Sequence, residues 1–157
     1  MLSLLLRNLF FTLLQPGVVA GLVPYLLLRS RWGVLMDTPF TILQYTGILL
    51  FATGLVIMLD CILRFALEGK GTLSPVDPTR ELVASGLYRL SRNPMYVGVM
   101  TMLLGETVFC ESVYLLIYST LIFVLFHTFI ITIEEPRLRK DFGNAYEAYC
   151  KKVRRWI

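Results

Sequence analysis

Gly86-Leu87-Tyr88-Arg89-Leu90-Ser91-Arg92-Asn93-Pro94-Met95-Tyr96-Val97-Gly98 decides how this chain is read. Two arginines, two glycines and a proline punctuate the stretch, which runs directly into the apolar segment Met95 to Cys110. A cationic, turn-rich segment opening an apolar helix marks the place where a chain enters a membrane surface. Composition agrees. Of 157 residues, 56% are hydrophobic and 17% charged, and the mean hydropathy is +0.67, well above that of an ordinary soluble domain.

A bilayer core about 30 Å thick needs roughly 20 apolar residues of helix. Leu9 to Leu28, Phe40 to Leu63 and Val113 to Ile133 meet that length. Met95 to Cys110 is shorter, about 24 Å at 1.5 Å per residue, but Cys110-Glu111-Ser112 joins it to the next run as a tight helical hairpin, so it counts as a fourth span. Gln15-Pro16-Gly17 and Pro24 interrupt the first run and predict a kinked or two-piece helix. Arg7 resembles the charged start of a signal peptide, yet the apolar run is too long and lacks a small-residue cleavage site, so the segment is expected to be retained. The fold class is therefore all-α integral membrane, with about four transmembrane helices, a cytoplasmic loop and an amphipathic C-terminal helix.

Basic residues orient the spans. Arg7, then Arg64, Lys70, Arg80, Arg89 and Arg92, then Arg137, Arg139, Lys140, Lys151, Lys152, Arg154 and Arg155 fall on one side, and only Arg29 and Arg31 on the other. The positive-inside rule puts the first group, with both termini and the long loop, in the cytoplasm. The net charge of +4 then faces anionic headgroups, and nothing in the chain calls for nucleic acid. Cys61, Cys110 and Cys150 are too scattered for a disulfide framework or a metal site.

Chemistry is confined to two cytoplasmic segments. Ala66 to Asn93 carries Gly69-Lys70-Gly71, Ser74-Pro75 and Asp77-Pro78, a loop with defined turns. The second segment starts where the last apolar run ends, with His127 and Glu134 seven residues apart on one helical face. Beyond them Leu138, Phe142, Tyr146, Tyr149 and Val153 recur every three or four residues, an amphipathic helix suited to the interface. Glu134-Glu135 stands out: adjacent carboxylates at the mouth of an apolar helix repel and pay desolvation unless cations meet them. Arg137 and Arg139 are one such set, and a cationic ligand is another. Glu106, on the short span, is read as a structural hydrogen-bonder, and Asp60 with Arg64 as an i,i+4 pair.

Gly71-Thr72-Leu73-Ser74-Pro75, Leu82-Val83, Gly86-Leu87-Tyr88, Arg92 to Gly98, and Glu134-Glu135 with Leu138, Phe142-Gly143, Tyr146, Tyr149 and Val153 resemble the isoprenylcysteine carboxyl methyltransferase family. Small bacterial-type members and phospholipid methyltransferases share the plan. The resemblance implies an integral-membrane enzyme, of the bacterial inner membrane, that moves a methyl group from S-adenosylmethionine to a lipophilic acceptor. Residues 1–65 would form an N-terminal helical pair and 66–157 the cofactor-binding region. Carried over, the cofactor would be lined by Glu81, Leu82 and Val83, by Tyr88, by Asn93, Pro94, Met95 and Tyr96, and by Glu134 and Glu135, with His127 on the substrate side and no metal. Asn93 would cap the third span and Pro94 occupy its first turn, leaving backbone donors for the cofactor carboxylate. Ile130 stands where prenylcysteine-modifying members carry an arginine, and Asn93 where many carry a histidine. The first difference points away from prenylated protein substrates. The N-terminal hairpin or a second copy of the chain would complete the site. Two rival readings are an NADPH-dependent sterol-type reductase, which has a similar Arg-x-Pro-x-Tyr arrangement, and a small membrane protein without catalysis.

Overall fold

The computed structural model describes residues 16–29, 39–68 and 82–157, and among these there is helix and no strand. The beginning of the first apolar run, Arg31, the turn clusters from Gly69 to Pro78, and Glu81 lie outside the described residues.

Helix α1 (Val18–Leu28) opens with a wide turn in which the Val23 N–H bonds the Val18 carbonyl five residues back, and Ala20 leaves helical geometry (φ −109°, ψ 21°). Pro24 follows in the next turn, so the expected kink falls just ahead of it. Helix α2 (Ile42–Leu67) is 26 residues long, about 39 Å at 1.5 Å per residue. Its start is fixed reciprocally: the Thr41 N–H donates to Gln44 Oε1 at 2.8 Å and the Gln44 N–H to Thr41 Oγ1 at 3.4 Å. Helix α3 (Pro94–Cys110) and helix α4 (Val113–Phe129) are joined by Glu111 in the left-handed conformation (φ 46°, ψ 42°). A second wide turn, Ile130–Glu134, leads into helix α5 (Glu135–Lys152).

Helices α2 and α3 run antiparallel and touch backbone to backbone. A Cβ on Gly47 would lie 2.6 Å from the Phe109 amide nitrogen, and one on Gly105 2.6 Å from that of Phe51. One repeat further on, a Cβ on Gly98 would lie 2.9 Å from the Gly54 carbonyl oxygen. Gly47 and Gly54 are seven residues apart, as are Gly98 and Gly105, so each helix presents a small residue every two turns to the other. Val99, Met102 and Leu103 of α3, Met58 of α2, Ile122 of α4 and Ala20 of α1 pack into one apolar core beside this contact.

The outer faces are equally apolar. Leu49, Val56, Leu121 and Leu125 are each more than half exposed, a surface suited to contact with lipid or with another apolar helix. Two helices, Ile42–Arg64 and the one that begins at Val113, are long and apolar enough to cross a membrane, while Val18–Leu28 and Pro94–Cys110 are shorter.

The C-terminal segment corrects the expectation of a single amphipathic helix. Gly143 sits at φ 49°, ψ −126°, a conformation open only to glycine, and breaks α5 into two halves. The apolar positions on either side close on each other: Tyr146, Tyr149 and Val153 pack with Leu138, Phe142 and Leu82. At the other boundary, Arg64 binds Asp60 at 2.8 Å, Glu68 at 3.1 Å and Ser85 at 3.0 Å. Gly86 (φ 52°) lies under this guanidinium, where a Cβ would collide with it.

Valine at Gly98 or Gly105 is expected to lower stability by at least about 1–3 kcal/mol through overpacking, read as thermal unfolding in detergent. Alanine at Gly17, which has nothing within 4 Å of its Cβ position, should leave the midpoint unchanged.

Candidate functional site

The polar groups gather where α3 begins and α4 ends. Pro136, without an N–H and with a ring that crowds the carbonyl four residues back, cannot follow a regular α-helix comfortably. The chain responds with the wide turn Ile130–Glu134, in which the Glu135 N–H reaches the Ile130 carbonyl. Successive residues on a helix point about 100° apart, so Glu134 and Glu135 face different surroundings.

Glu134 turns toward α3. Its Oε2 accepts the Tyr96 hydroxyl at 2.8 Å, and the Tyr96 ring leans on Phe126 with centroids 4.8 Å apart. No ion pair reaches Glu134 among the described residues. Arg137 pairs instead with Asp141 at 3.7 Å.

Glu135 is buried and saturated. Arg155 grips it with Nε at 2.7 Å and Nη2 at 3.1 Å, Arg92 approaches at 3.3 Å and Arg139 at 3.6 Å. The hydrogen bond to Glu135 holds the Arg155 guanidinium above its ordinary range. Only the reversal at Gly143 lets Arg155 return to a residue twenty positions earlier. The tail then straps the segment before α3: the Arg154 carbonyl accepts the Arg92 N–H at 2.9 Å, and the Arg155 carbonyl accepts Asn93 Nδ2 at 2.9 Å and Ser91 Oγ at 3.2 Å. The Arg92 Nε, by contrast, is buried and has no acceptor.

Asn93 departs from its expected role. It occupies the cap position, but its side chain makes no capping bond and is spent on the tail, while its own N–H is taken by Ser91 Oγ at 3.1 Å. Pro94 is buried in the first turn, as expected, and Met95 packs against both the main core and the Cys61–Val83–Tyr88 cluster. Tyr88 stands in a 3₁₀ turn, Gly86–Arg89. Its carbonyl accepts the Tyr149 hydroxyl at 2.6 Å. Burial first, then the Cys61 thiol and the Glu134 carboxylate, push the Tyr88 hydroxyl well above the usual phenol range, so it stays protonated.

The structure thus brings together Val83, Tyr88, Asn93, Pro94, Met95, Tyr96, Glu134 and Glu135, with Leu82 packed on the tail cluster. Glu81 lies outside the described residues. His127 stands in an aromatic stack, its Nδ1 accepting the Trp156 indole N–H at 3.2 Å and its ring 6.0 Å from that of Phe123. Arg92, Arg155 and Trp156 had no place in the sequence reading of the site. A buried-capable acid one residue from another was the only cue that a remote cation had to return to it.

These features define a helical membrane protein whose polar site lies where two apolar helices end. The phospholipid methyltransferase family matches residues 42–145, more than half of the chain, and the chain belongs to that family. A probable protein-S-isoprenylcysteine O-methyltransferase of Oryza sativa subsp. indica is 36% identical over 73 residues, 46% of this chain and 38% of that protein. The protein-S-isoprenylcysteine O-methyltransferase of Schizosaccharomyces pombe is 36% identical over 72 residues, 46% of this chain and 30% of its own length. Delta(14)-sterol reductase TM7SF2 of Mus musculus is 33% identical over 83 residues, 50% of this chain but 19% of the reductase. The chain spans well under half the length of these curated relatives. No solved structure matches it.

Glu135→Gln leaves its arginines without a counter-charge in a buried position and is expected to cost on the order of 3 kcal/mol, measured by thermal or denaturant unfolding. Glu134→Gln keeps an acceptor for Tyr96 and should stay within about 1 kcal/mol of the parent chain.

Proposed function

We propose that this chain is a multi-pass membrane methyltransferase that binds S-adenosylmethionine at the Tyr96–Glu134 site and methylates a lipophilic acceptor arriving from the bilayer. The observation that carries the proposal is the difference between the two neighbouring carboxylates. Glu135 is neutralised by arginines, whereas Glu134, at the mouth of an apolar helix, has one tyrosine hydroxyl and, among the described residues, no ion-pair partner. A carboxylate placed so is a receptor for an ammonium group.

The residues present fit that cofactor at both ends of its amino-acid portion. Glu134 meets an amino group, and the buried Arg92 Nε is a donor in need of an acceptor such as a carboxylate. The first-turn amides of Met95 and Tyr96 add donors that helix geometry leaves without intrahelical partners. Tyr88, Val83 and Leu82 supply apolar and aromatic surface for a nucleobase. When bound, the cofactor supplies a methyl group already activated on a sulfonium, which departs as a neutral thioether.

Alignment and dryness are then the protein's contribution. Tyr96, held by Phe126 and Glu134, fixes the wall against which donor and acceptor line up. The apolar ends of α3 and α4 exclude water. The stack of Phe123 and His127, about three and two helical turns before Glu134, with Trp156 of the tail, forms the acceptor side. Ile130, buried and uncharged, offers no partner to a free carboxylate, which favours a neutral or amine-headed lipid over a prenylcysteine. The positive-inside pattern of a four-span arrangement supports a site on the cytoplasmic face, in a bacterial chain that of the inner membrane. A second copy of the chain is a natural partner for the α1–α2 face.

The partial likeness to a sterol reductase raises a nicotinamide alternative. An unpaired carboxylate repels the phosphates such a cofactor brings, which weighs against it.

Calorimetric titration of the nanodisc-held chain tests the proposal. S-adenosylhomocysteine is expected to bind with a Kd of about micromolar order, weakened about tenfold or more by Glu134→Gln, the worth of one charge-assisted contact. Binding of NADPH instead, or of neither compound, overturns it.

A further inference from the structure

At the other end of the bundle, a cavity of about 370 Å³ opens between α1, α2, α3 and α4. Pro24 and Leu28, Ile48 and Phe51, Phe109 and Leu115 contribute to its wall, one helix after another. Glu106 of α3 also lines it. Ten residues separate Glu106 from Tyr96, about 15 Å along the helix, so this space is distinct from the Tyr96–Glu134 site.

Glu106 is out of keeping with its surroundings. Its Oε2 is buried and meets no hydrogen-bond donor, and among the described residues no lysine, arginine or histidine lines the cavity. Two hydroxyls on α3 and α4 are committed elsewhere: Thr107 to the Leu103 carbonyl at 2.8 Å, and Tyr118 to the Val19 carbonyl at 2.9 Å. An acid within a membrane bundle is costly unless something meets it. A divalent metal is a poor candidate, since no group of three or more ligating side chains exists among the described residues. The cavity's size falls within the range of small-molecule sites, and its described wall is apolar apart from the Glu106 carboxyl group and the Tyr25 hydroxyl.

We infer that the cavity is a second binding site, for a single-chain cationic amphiphile whose ammonium group meets Glu106 and whose hydrocarbon chain fills the apolar space. Charge complementarity selects the head and the aromatic and aliphatic wall selects the chain. The site does not depend on the methyl-transfer reading, and its occupant is too far from Tyr96 to be the group that reacts there.

Titration with dodecylamine tests it, using the full chain in nanodiscs of phosphatidylcholine, a lipid without a primary amine, with empty nanodiscs subtracted. One saturable site is expected, weakened about tenfold or more in Glu106→Gln and lost in Ile48→Trp, which puts an indole on the cavity wall. Dodecanol, of equal chain length and without charge, should bind the parent chain about as weakly as dodecylamine binds Glu106→Gln. The thermal unfolding midpoint should stay close to the parent chain's in both variants, which reports folding without reference to the methyl-transfer site, and any S-adenosylhomocysteine binding by the parent chain should be unchanged in them. Equal dodecylamine affinity in folded Glu106→Gln, or no saturable component in the parent chain, overturns the inference. If Glu106→Gln fails to fold, undiminished binding by Ile48→Trp does so.

Discussion

The backbone contact between α2 and α3 fixes everything else. Inside lipid there is no hydrophobic gain from bringing two apolar helices together, so association relies on close packing and the few polar bonds available. Glycines at 47 and 54 opposite those at 105 and 98 let the helices approach to backbone distance. Because both pairs share a seven-residue spacing, a slide by one turn would put side chains such as Phe51 or Met102 against backbone. The register is therefore unique, and it carries the start of α3 to Cys61 and Tyr88, where the Met95 side chain joins their cluster.

Glu135 does at the polar end what the glycines do at the apolar one. A buried ion pair is weak evidence for net stability, because desolvation consumes much of the Coulomb gain. Its value here is directional. Three arginines from the α3 approach, the first turn of α5 and the tail converge on one carboxylate, and no other placement of the tail satisfies them together. The strap from Arg154 and Arg155 to Ser91 through Asn93 follows from that convergence.

Those two constraints differ in how far they can be read from sequence. Helix α2, the α3–α4 hairpin at Glu111 and the Asp60–Arg64 pair depend on local composition and i,i+4 spacing, and they stand where the sequence puts them. The fold-back of α5 was hidden because Leu138 and Phe142 before Gly143 are in phase with Tyr146, Tyr149 and Val153 after it. A continuous amphipathic stripe and two halves closing face to face have the same periodicity. Only the positive φ of Gly143 distinguishes them, and a lone glycine in a helical pattern is ambiguous. Arg155 was illegible for the same reason, since a straight α5 would leave it about 30 Å from Glu135. Asn93 looked like a cap because asparagine before proline at a helix start usually is one. Here the tail carbonyl of Arg155 competes for the same amide and wins.

The wide turn before Pro136 ties these elements to chemistry. A regular helix through residues 130–136 would leave the proline ring against a carbonyl; the extra residue in the turn removes that clash and advances everything after it by roughly 100°. Ile130, which opens the turn, is fully buried, and the rotation beyond it carries Glu135 toward the arginines and Glu134 toward Tyr96. Had both carboxylates met the same cations, neither would have charge to spare for a ligand. The rotation that accompanies one proline, held in place by a buried arginine cluster, is what leaves Glu134 facing the Tyr96 hydroxyl and, among the described residues, no ion-pair partner.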